Sequence, residues 1–284
     1  MSKIKIAELF YSVQGEGRYM GVPSVFLRTF GCNFRCAGFG MPRGELSTEA
    51  DDIAEVVHHF IDYNELPLVS TGCDSYASWH PNFKDLSPML TSDAIVERII
   101  EILPYNTWKD EHLVITGGEP LLGWQRAYPD LLNHDNMQSL REITFETNGT
   151  QPLSDDFRRC LFNWKKSSHI DGREITFSVS PKLPSSGEKW EDAIQTKTVC
   201  EYEWFGTAYL KFVVATEQDI ADAECAVGAY RAAGFTGHIY LMPVGGVESV
   251  YTLNAKNVAL AAMKRGWRYS DRLQVPLFKN EWGT

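Results

Sequence analysis

No stretch of this sequence approaches the roughly 18 consecutive apolar residues that a membrane-spanning helix requires. The opening "MSKIKIAELFYSVQGEG" carries no apolar core of the kind found in secretion signals, so no signal peptide is expected. Lys/Arg-rich runs are missing too: 27 basic residues face 37 acidic ones, for a formal net charge of −10. That balance argues against direct binding to nucleic acid, which needs a basic surface. Six cysteines in 284 residues are too few for the disulfide framework of a small secreted domain. The expected setting is a reducing cytoplasm, with thiols free or bound to metal. Internal repeats, low-complexity tracts and Pro/Gly/Ser-rich linkers are also missing. At 284 residues the chain could form one large α/β domain or two small ones, and no membrane partner is expected.

What is present is an alternation of strand-like and helix-like segments. Apolar runs with strand character are "SVFLRTF" (24–30), "HLVITGG" (112–118), "EITFETN" (142–148), "EITFSVS" (174–180), "AYLKFVVA" (208–215) and "HIYLMPV" (238–244). Between them, "TSDAIVERIIEIL" (91–103) opens with the candidate caps Thr91, Ser92 and Asp93 and puts Ile95, Ile99, Ile102 and Leu103 on one face. Residues 216–234 and 253–266 are helix-like and end in glycines at plausible C′ positions. Strands alternating with helices predict an α/β fold with a mainly parallel sheet. Residues 37–72 break the rhythm. They begin "AGFGMPRGE", continue into an expected short helix in "EADDIAEVVHHFIDY", and read as an insertion.

Short polar motifs cap the strand-like runs: "TGGEP" (116–120), "ETNGT" (146–150), "SPK" (180–182) and "MPVGG" (242–246). In parallel α/β folds the loops at the C-terminal edge of the sheet converge on the ligand site. Alone, each motif reads as a plain turn. Their common edge points to one site assembled from distant parts of the chain.

Cys32 and Cys36 share a loop in "GCNFRC", and Cys73 follows in "TGCDSYASW". Three thiolates suit a zinc site with one open position, or a [4Fe–4S] cluster with one iron left without a protein ligand. They also suit ordinary buried thiols. Cys160, Cys200 and Cys225 have no such neighbours and read as ordinary thiols.

With these motifs together, "FYSVQGEGRYMGVPSVFLRTFGCNFRC" resembles the start of radical S-adenosylmethionine (SAM) enzymes of the 7-carboxy-7-deazaguanine synthase family. Those chains carry Q-G-E-G, then G-x-P, F-x-R and C-x3-C-x2-C-D-T. Here Gln14–Gly17, Gly21–Pro23, Phe26–Arg28 and Cys32/Cys36 match in order. "CDSYASW" (73–79) resembles the rest of the cluster motif, displaced by 37–72. "TGGEP", "ETNGT", "SPK" and the tail "RYSDRLQVPLFKNEWGT" follow in family order, so the match covers nearly all of the chain outside 37–72.

The resemblance implies a partial (β/α) barrel of the radical SAM type and a homodimer. It implies ring contraction of 6-carboxy-5,6,7,8-tetrahydropterin to 7-carboxy-7-deazaguanine and ammonia, within queuosine-type 7-deazaguanine biosynthesis. The cofactors would be a [4Fe–4S] cluster, SAM and Mg²⁺, with an electron donor such as flavodoxin or ferredoxin. By the same resemblance Cys32, Cys36 and Cys73 would ligate three irons, and SAM would chelate the fourth. Reduction would cleave SAM to methionine and a 5′-deoxyadenosyl radical, which takes hydrogen from C6 of the pterin. No side chain is then needed as acid or base, because the cofactor carries the chemistry.

Further roles follow from the matched positions. SAM contacts would fall on Gly72, Asp74, Gly117, Gly118, Glu119, Asn148, Ser180, Pro181 and Lys182, with Met242, Pro243, Val244 and Gly245 facing adenine. Glu119 would accept a hydrogen bond from the SAM amino group. The pterin would meet Val13, Gln14, Gly15, Glu16, Arg28 and Thr116; the planar fork of Arg28 suits a carboxylate. Ser75 stands where the family has the threonine that ligates Mg²⁺. Gly72 replaces a frequent aromatic, and Phe39 stands where an unsplit motif would place its third cysteine, so Cys73 must serve. For it to reach the other two cysteines, the ends of 37–72 must lie close together. Two other readings compete: a glycyl-radical-enzyme activase, which would not need "QGEG", "FLR" and the tail together, and a zinc-stabilised, non-catalytic interaction protein.

Overall fold

The computed structural model describes residues 2–166, 172–246 and 248–284. Among them, nine strands form one open sheet in the order β3-β1-β2-β4-β5-β6-β7-β8-β9. The strands are β1 (Lys3–Val13), β2 (Pro23–Thr29), β3 (Met89–Thr91), β4 (His112–Gly117), β5 (Glu142–Thr147), β6 (Glu174–Val179), β7 (Thr207–Val214), β8 (Ile239–Pro243) and β9 (Arg268–Tyr269). β1 runs antiparallel to both β2 and β3. Every pairing from β2 through β9 is parallel.

The helices are α1 (Glu49–Glu55), α2 (Ser92–Ile102), α3 (Tyr128–Leu132), α4 (Asp155–Lys166), α5 (Trp190–Ala193), α6 (Thr196–Tyr202), α7 (Glu217–Ala232), α8 (Glu248–Lys264) and α9 (Gln274–Phe278). None of the described helices is long and apolar enough to cross a membrane.

Side chains alternate across each strand, so each central strand has two unlike faces. Val25, Leu27, Leu113, Ile115, Ile143, Phe145, Phe177 and Phe212 pack with Ile95, Ile99, Phe157 and Tyr202 of the helices in one core. Phe177 stacks between Phe145, with ring centroids 5.6 Å apart, and Tyr202, at 4.6 Å. Most of the intervening positions are polar: Ser24 and Arg28, His112 and Thr116, Thr144 and Glu146, Thr176 and Ser178, and Lys211, with Phe26, Val114, Tyr209 and Val213 as apolar exceptions. Parallel strands covered on both faces read as continuous apolar runs. These do not, because the second face looks onto the site.

The six expected strands appear within a residue or so of their expected ends. β1, β3 and β9 were not expected. β3 and β9 are too short to show a period, and β1 carries Lys3, Lys5 and Glu8 among its apolar residues. α2 begins where its caps predicted, with the Ala94 N–H donating to the Thr91 hydroxyl at 3.3 Å. The helix expected in 49–63 is shorter. α1 ends at Glu55 and gives way to single turns at Val57–His59 and Tyr63–Glu65. The β-branched pair Val56–Val57 and the two histidines are weak helix formers. Asp62 and Glu65 then form a capping box that starts a new turn.

The segment 37–72 leaves and returns at one place. The Gly72 N–H donates to the Phe39 carbonyl at 2.7 Å, and the Ser47 N–H to the Ala37 carbonyl at 2.8 Å. Its later half builds a small second core in which Tyr63, Leu66 and Val69 pack with Tyr76, Ala77, Phe83 and Trp282.

Phe177 is fully buried. Phe177→Ala is expected to cost about 3–5 kcal/mol through lost contacts and a cavity. Urea unfolding should show a lower midpoint at unchanged slope; a loss below about 1 kcal/mol would contradict the packing described.

Candidate functional site

A cavity of about 250 Å³ opens at the C-terminal edge of the parallel strands. Of the residues expected in the site, Glu119, Pro181 and Pro243 do not line it; all the others do. Residues from "QGEG", both cysteine stretches, "TGG", "TN", "SPK" and "MPVGG" therefore share one space.

Cys32, Cys36 and Cys73 pack into one small cluster with Phe34, Phe39 and Ala193. Their loop is pinned from two sides. The Gly31 N–H donates to the Ser78 carbonyl at 2.7 Å, and the Glu119 N–H to the Gly31 carbonyl at 2.7 Å. A Cβ at Gly118 would fall 2.5 Å from the Gly31 carbonyl oxygen and 2.7 Å from Cys32 Cβ. Only glycine lets "TGG" lie this close to the cysteine loop.

Burial pushes the Cys32 thiol up to about 12, against the Phe34 N–H that donates to its sulfur at 3.4 Å. Burial also raises Cys36 and Cys73. Loading a metal must therefore displace these protons.

Among the described residues, no three His, Cys, Asp or Glu side chains converge as ligands of one metal ion. Three thiolates lining one cavity supply the soft donors that an iron–sulfur cluster takes.

Glu119 was expected to meet SAM, but it is fully buried beneath the cavity. Its carboxylate accepts from the Thr147 hydroxyl at 2.8 Å, the Asn148 N–H at 2.6 Å and the Leu121 N–H at 3.1 Å. It joins "TGGEP" to "ETNGT". Burial pushes its carboxyl up to about 7, against those donors. Asn148 continues the link, donating from Nδ2 to Asn33 Oδ1 in the cysteine loop at 2.9 Å.

The opposite end of the cavity is ionic. Glu16 of "QGEG" pairs with Lys211, accepts from Arg272 Nε at 3.2 Å, and accepts from Gln274 Nε2 at 2.9 Å. Burial alone would raise its carboxyl, but the Lys211 and Arg272 charges outweigh that and hold it low. Arg272 also donates to Asp74 and to the Gly245 carbonyl. Arg28 donates from Nε to Glu8 at 2.6 Å and from Nη1 to the Ser75 hydroxyl at 3.1 Å. Ser75, the residue expected at Mg²⁺, also donates from its hydroxyl to Asp74 Oδ1 at 3.3 Å, so it stands between a cation and a carboxylate. Glu146 accepts from Gln14 Nε2 at 3.1 Å and from the Thr116 hydroxyl at 3.0 Å.

Sequence reasoning missed Glu8, Glu146, Lys211, Arg272 and Gln274. Polar alternation within otherwise apolar strands could have found Glu146 and Lys211. Glu8 gave no such signal: the ladder between β1 and β2 shifts register between Ile6 and Glu8, and that irregularity re-aims the side chain.

No protein-family model matches the chain. It is similar over nearly its whole length to proteins named 7-carboxy-7-deazaguanine synthase. The one from Halobacterium salinarum is 29% identical over 98% of this chain and 91% of its own. Those from Pyrobaculum aerophilum and Rhodopirellula baltica are 24% and 28% identical, over 99% and 100% of this chain and 97% and 90% of theirs. The fold is similar to the crystal structure of QueE from Escherichia coli, with a TM-score of 0.54 at 20% identity, covering 95% of this chain and 94% of that one.

Between pH about 4.5 and 7 the folded chain holds a proton on Glu119 that the unfolded chain has released. Stability should therefore fall as pH rises through that window. Relative to Glu119→Gln, the parent is expected to lose about 1–3 kcal/mol between pH 4.5 and 8. Denaturant titrations at both pH values measure this; a parent that gains on the variant as pH rises would refute a raised Glu119.

Proposed function

We propose that this chain is a 7-carboxy-7-deazaguanine synthase, a radical SAM lyase that contracts the ring of 6-carboxy-5,6,7,8-tetrahydropterin and releases ammonia. One observation carries the reading: motifs from seven separate stretches line a single cavity at the C-terminal edge of the parallel strands. The end-to-end similarity to proteins of that name supports it. The overall change is redox-neutral, since product plus ammonia accounts for every atom of the substrate.

In this reading Cys32, Cys36 and Cys73 hold three irons of a [4Fe–4S] cluster. Once bound, the cluster supplies the electron that cleaves SAM to the radical initiating the rearrangement. The chain binds, orients and excludes water. Gly117 and Gly118 give the SAM methionine end a close backbone, with Gly72, Asp74, Asn148, Ser180 and Lys182 around it. Met242, Val244 and Gly245 supply the wall for adenine. Glu119 serves from below, by fixing Asn148.

Val13–Glu16, Arg28 and Thr116 receive the pterin. Glu8 holds Arg28 by Nε and so sets the plane in which its terminal nitrogens meet a carboxylate. The ionic end repels neither partner: Glu16 and Asp74 are neutralised by Lys211 and Arg272.

The same reading extends to one domain over 1–284 with 37–72 as an insertion, a homodimer, and a flavodoxin- or ferredoxin-type electron donor. It places the chain in a reducing cytoplasm, which suits its six free cysteines. A glycyl-radical-enzyme activase has no use for the pterin residues. A zinc-stabilised, non-catalytic protein has no use for them either.

Anaerobic reconstitution should load about four irons per chain, and the reduced protein should convert the carboxypterin to 7-carboxy-7-deazaguanine. A sample that cleaves SAM yet forms no such product would overturn the substrate assignment. Cys73→Ala should lose iron as completely as Cys32→Ala; a Cys73→Ala protein that still carries a full cluster would overturn the ligand assignment.

A further inference from the structure

One carboxylate without a role so far sits on the cysteine loop. Glu188 follows the turn at Pro184–Ser186, after β6. Its Oε1 accepts from two successive backbone amides, Arg35 N–H and Cys36 N–H, each at 2.8 Å. Cys36 is buried and has φ of 53°. A side-chain-bearing residue holds that left-handed conformation only where its surroundings impose it.

The surroundings do so here. The Gly38 N–H donates to the Ser186 carbonyl at 2.9 Å, and a Cβ at Gly38 would fall 2.6 Å from the Ser185 carbonyl oxygen. Glu188 is steadied in turn: its N–H donates to the Ser186 hydroxyl at 3.3 Å, which donates to the Leu183 carbonyl at 2.7 Å.

This arrangement has an electronic consequence. Backbone amides near a ligating thiolate ordinarily donate to sulfur and stabilise added negative charge. The Arg35 and Cys36 amides donate to a carboxylate instead. Two donors are withdrawn from the sulfur environment and a negative charge is fixed beside Cys36. Lys182, which lines the same cavity, is the opposing cation.

We propose that Glu188 is a positioning residue for the Cys36 loop and that it also keeps the reduction potential of the cluster low. A cluster reduced against that charge is a stronger one-electron donor to the sulfonium of SAM. This rests on the reading above, in which Cys36 ligates iron.

The test compares the reconstituted parent with Glu188→Gln, which keeps an acceptor oxygen and loses the charge, and Glu188→Ala, which loses both. Iron content and an anaerobic redox titration followed by electron paramagnetic resonance are the readouts. The Gln variant is expected to load iron like the parent. Its potential should move positive, favouring the reduced state about three- to tenfold; tenfold is about 59 mV for a one-electron couple. The Ala variant should load less iron.

A Gln variant with an unchanged or more negative potential overturns the tuning role. So does a Gln variant that fails to load, because then the charge serves assembly. An Ala variant that loads like the parent overturns the positioning role. A parent that takes up no iron overturns the proposed function itself, whatever Glu188 does.

Discussion

The guanidinium of Arg272 is the contact on which the assembly of the site depends. It lies between β9 and α9 and is almost wholly buried. From there it reaches Glu16 of "QGEG", Asp74 beside the third cysteine, and the carbonyl of Gly245 at the end of β8. A buried cation without partners would cost several kcal/mol. Here two carboxylates face two cations, Arg272 and Lys211. The arrangement is stable only as a set. Removing either cation leaves the buried Glu16 carboxylate with one cation instead of two, so the three stretches that Arg272 gathers stabilise one another.

That set sits on a sheet whose two faces have different tasks. The helix-facing side is filled by aliphatic and aromatic residues, and it supplies most of the burial that drives folding. The other side tolerates polar residues because nearly every one has a partner. His112 donates or accepts with the Thr144 hydroxyl at 2.8 Å, and burial brings its ring down to about 3, so it stays neutral there. Thr116 and Gln14 both donate to Glu146. Polar groups satisfied in this way cost little to bury, whereas unpaired ones would be expensive.

The difference in task also explains what could be read from the sequence. Strands with an apolar face against helices announce themselves by period and length, and six of them were legible. Motifs at strand ends were legible as a group, because a parallel sheet brings its C-terminal loops to one edge. The ionic end was not. Glu16 and Arg272 meet across most of the chain, and a charged residue in a tail carries no mark of its partner. The surroundings of Glu119 were not legible for a related reason. A carboxylate after two glycines reads as a ligand contact, and only the fold puts the Thr147 hydroxyl and the Asn148 amide around it.

The segment 37–72 is a long excursion whose ends meet. The entropy of closing a loop grows only with the logarithm of its length, about 0.6 kcal/mol per doubling. A long excursion is therefore tolerable if its ends are held, and the Gly72–Phe39 bond holds them, while the Ser47–Ala37 bond closes the first part of the segment on itself. Arg43 adds an ion pair to Asp222 of α7 at 2.9 Å. The segment is also tied to the tail. The Trp282 ring meets Tyr63 edge-on at 5.2 Å, and its Nε1 donates to the Leu66 carbonyl at 2.8 Å. The next residue, Gly283, donates its N–H to Glu8 at 3.1 Å, and Glu8 holds Arg28. The excursion that carries Cys73 back to the other cysteines thus also seats the tail, and through the tail it bears on the Arg28 end of the cavity.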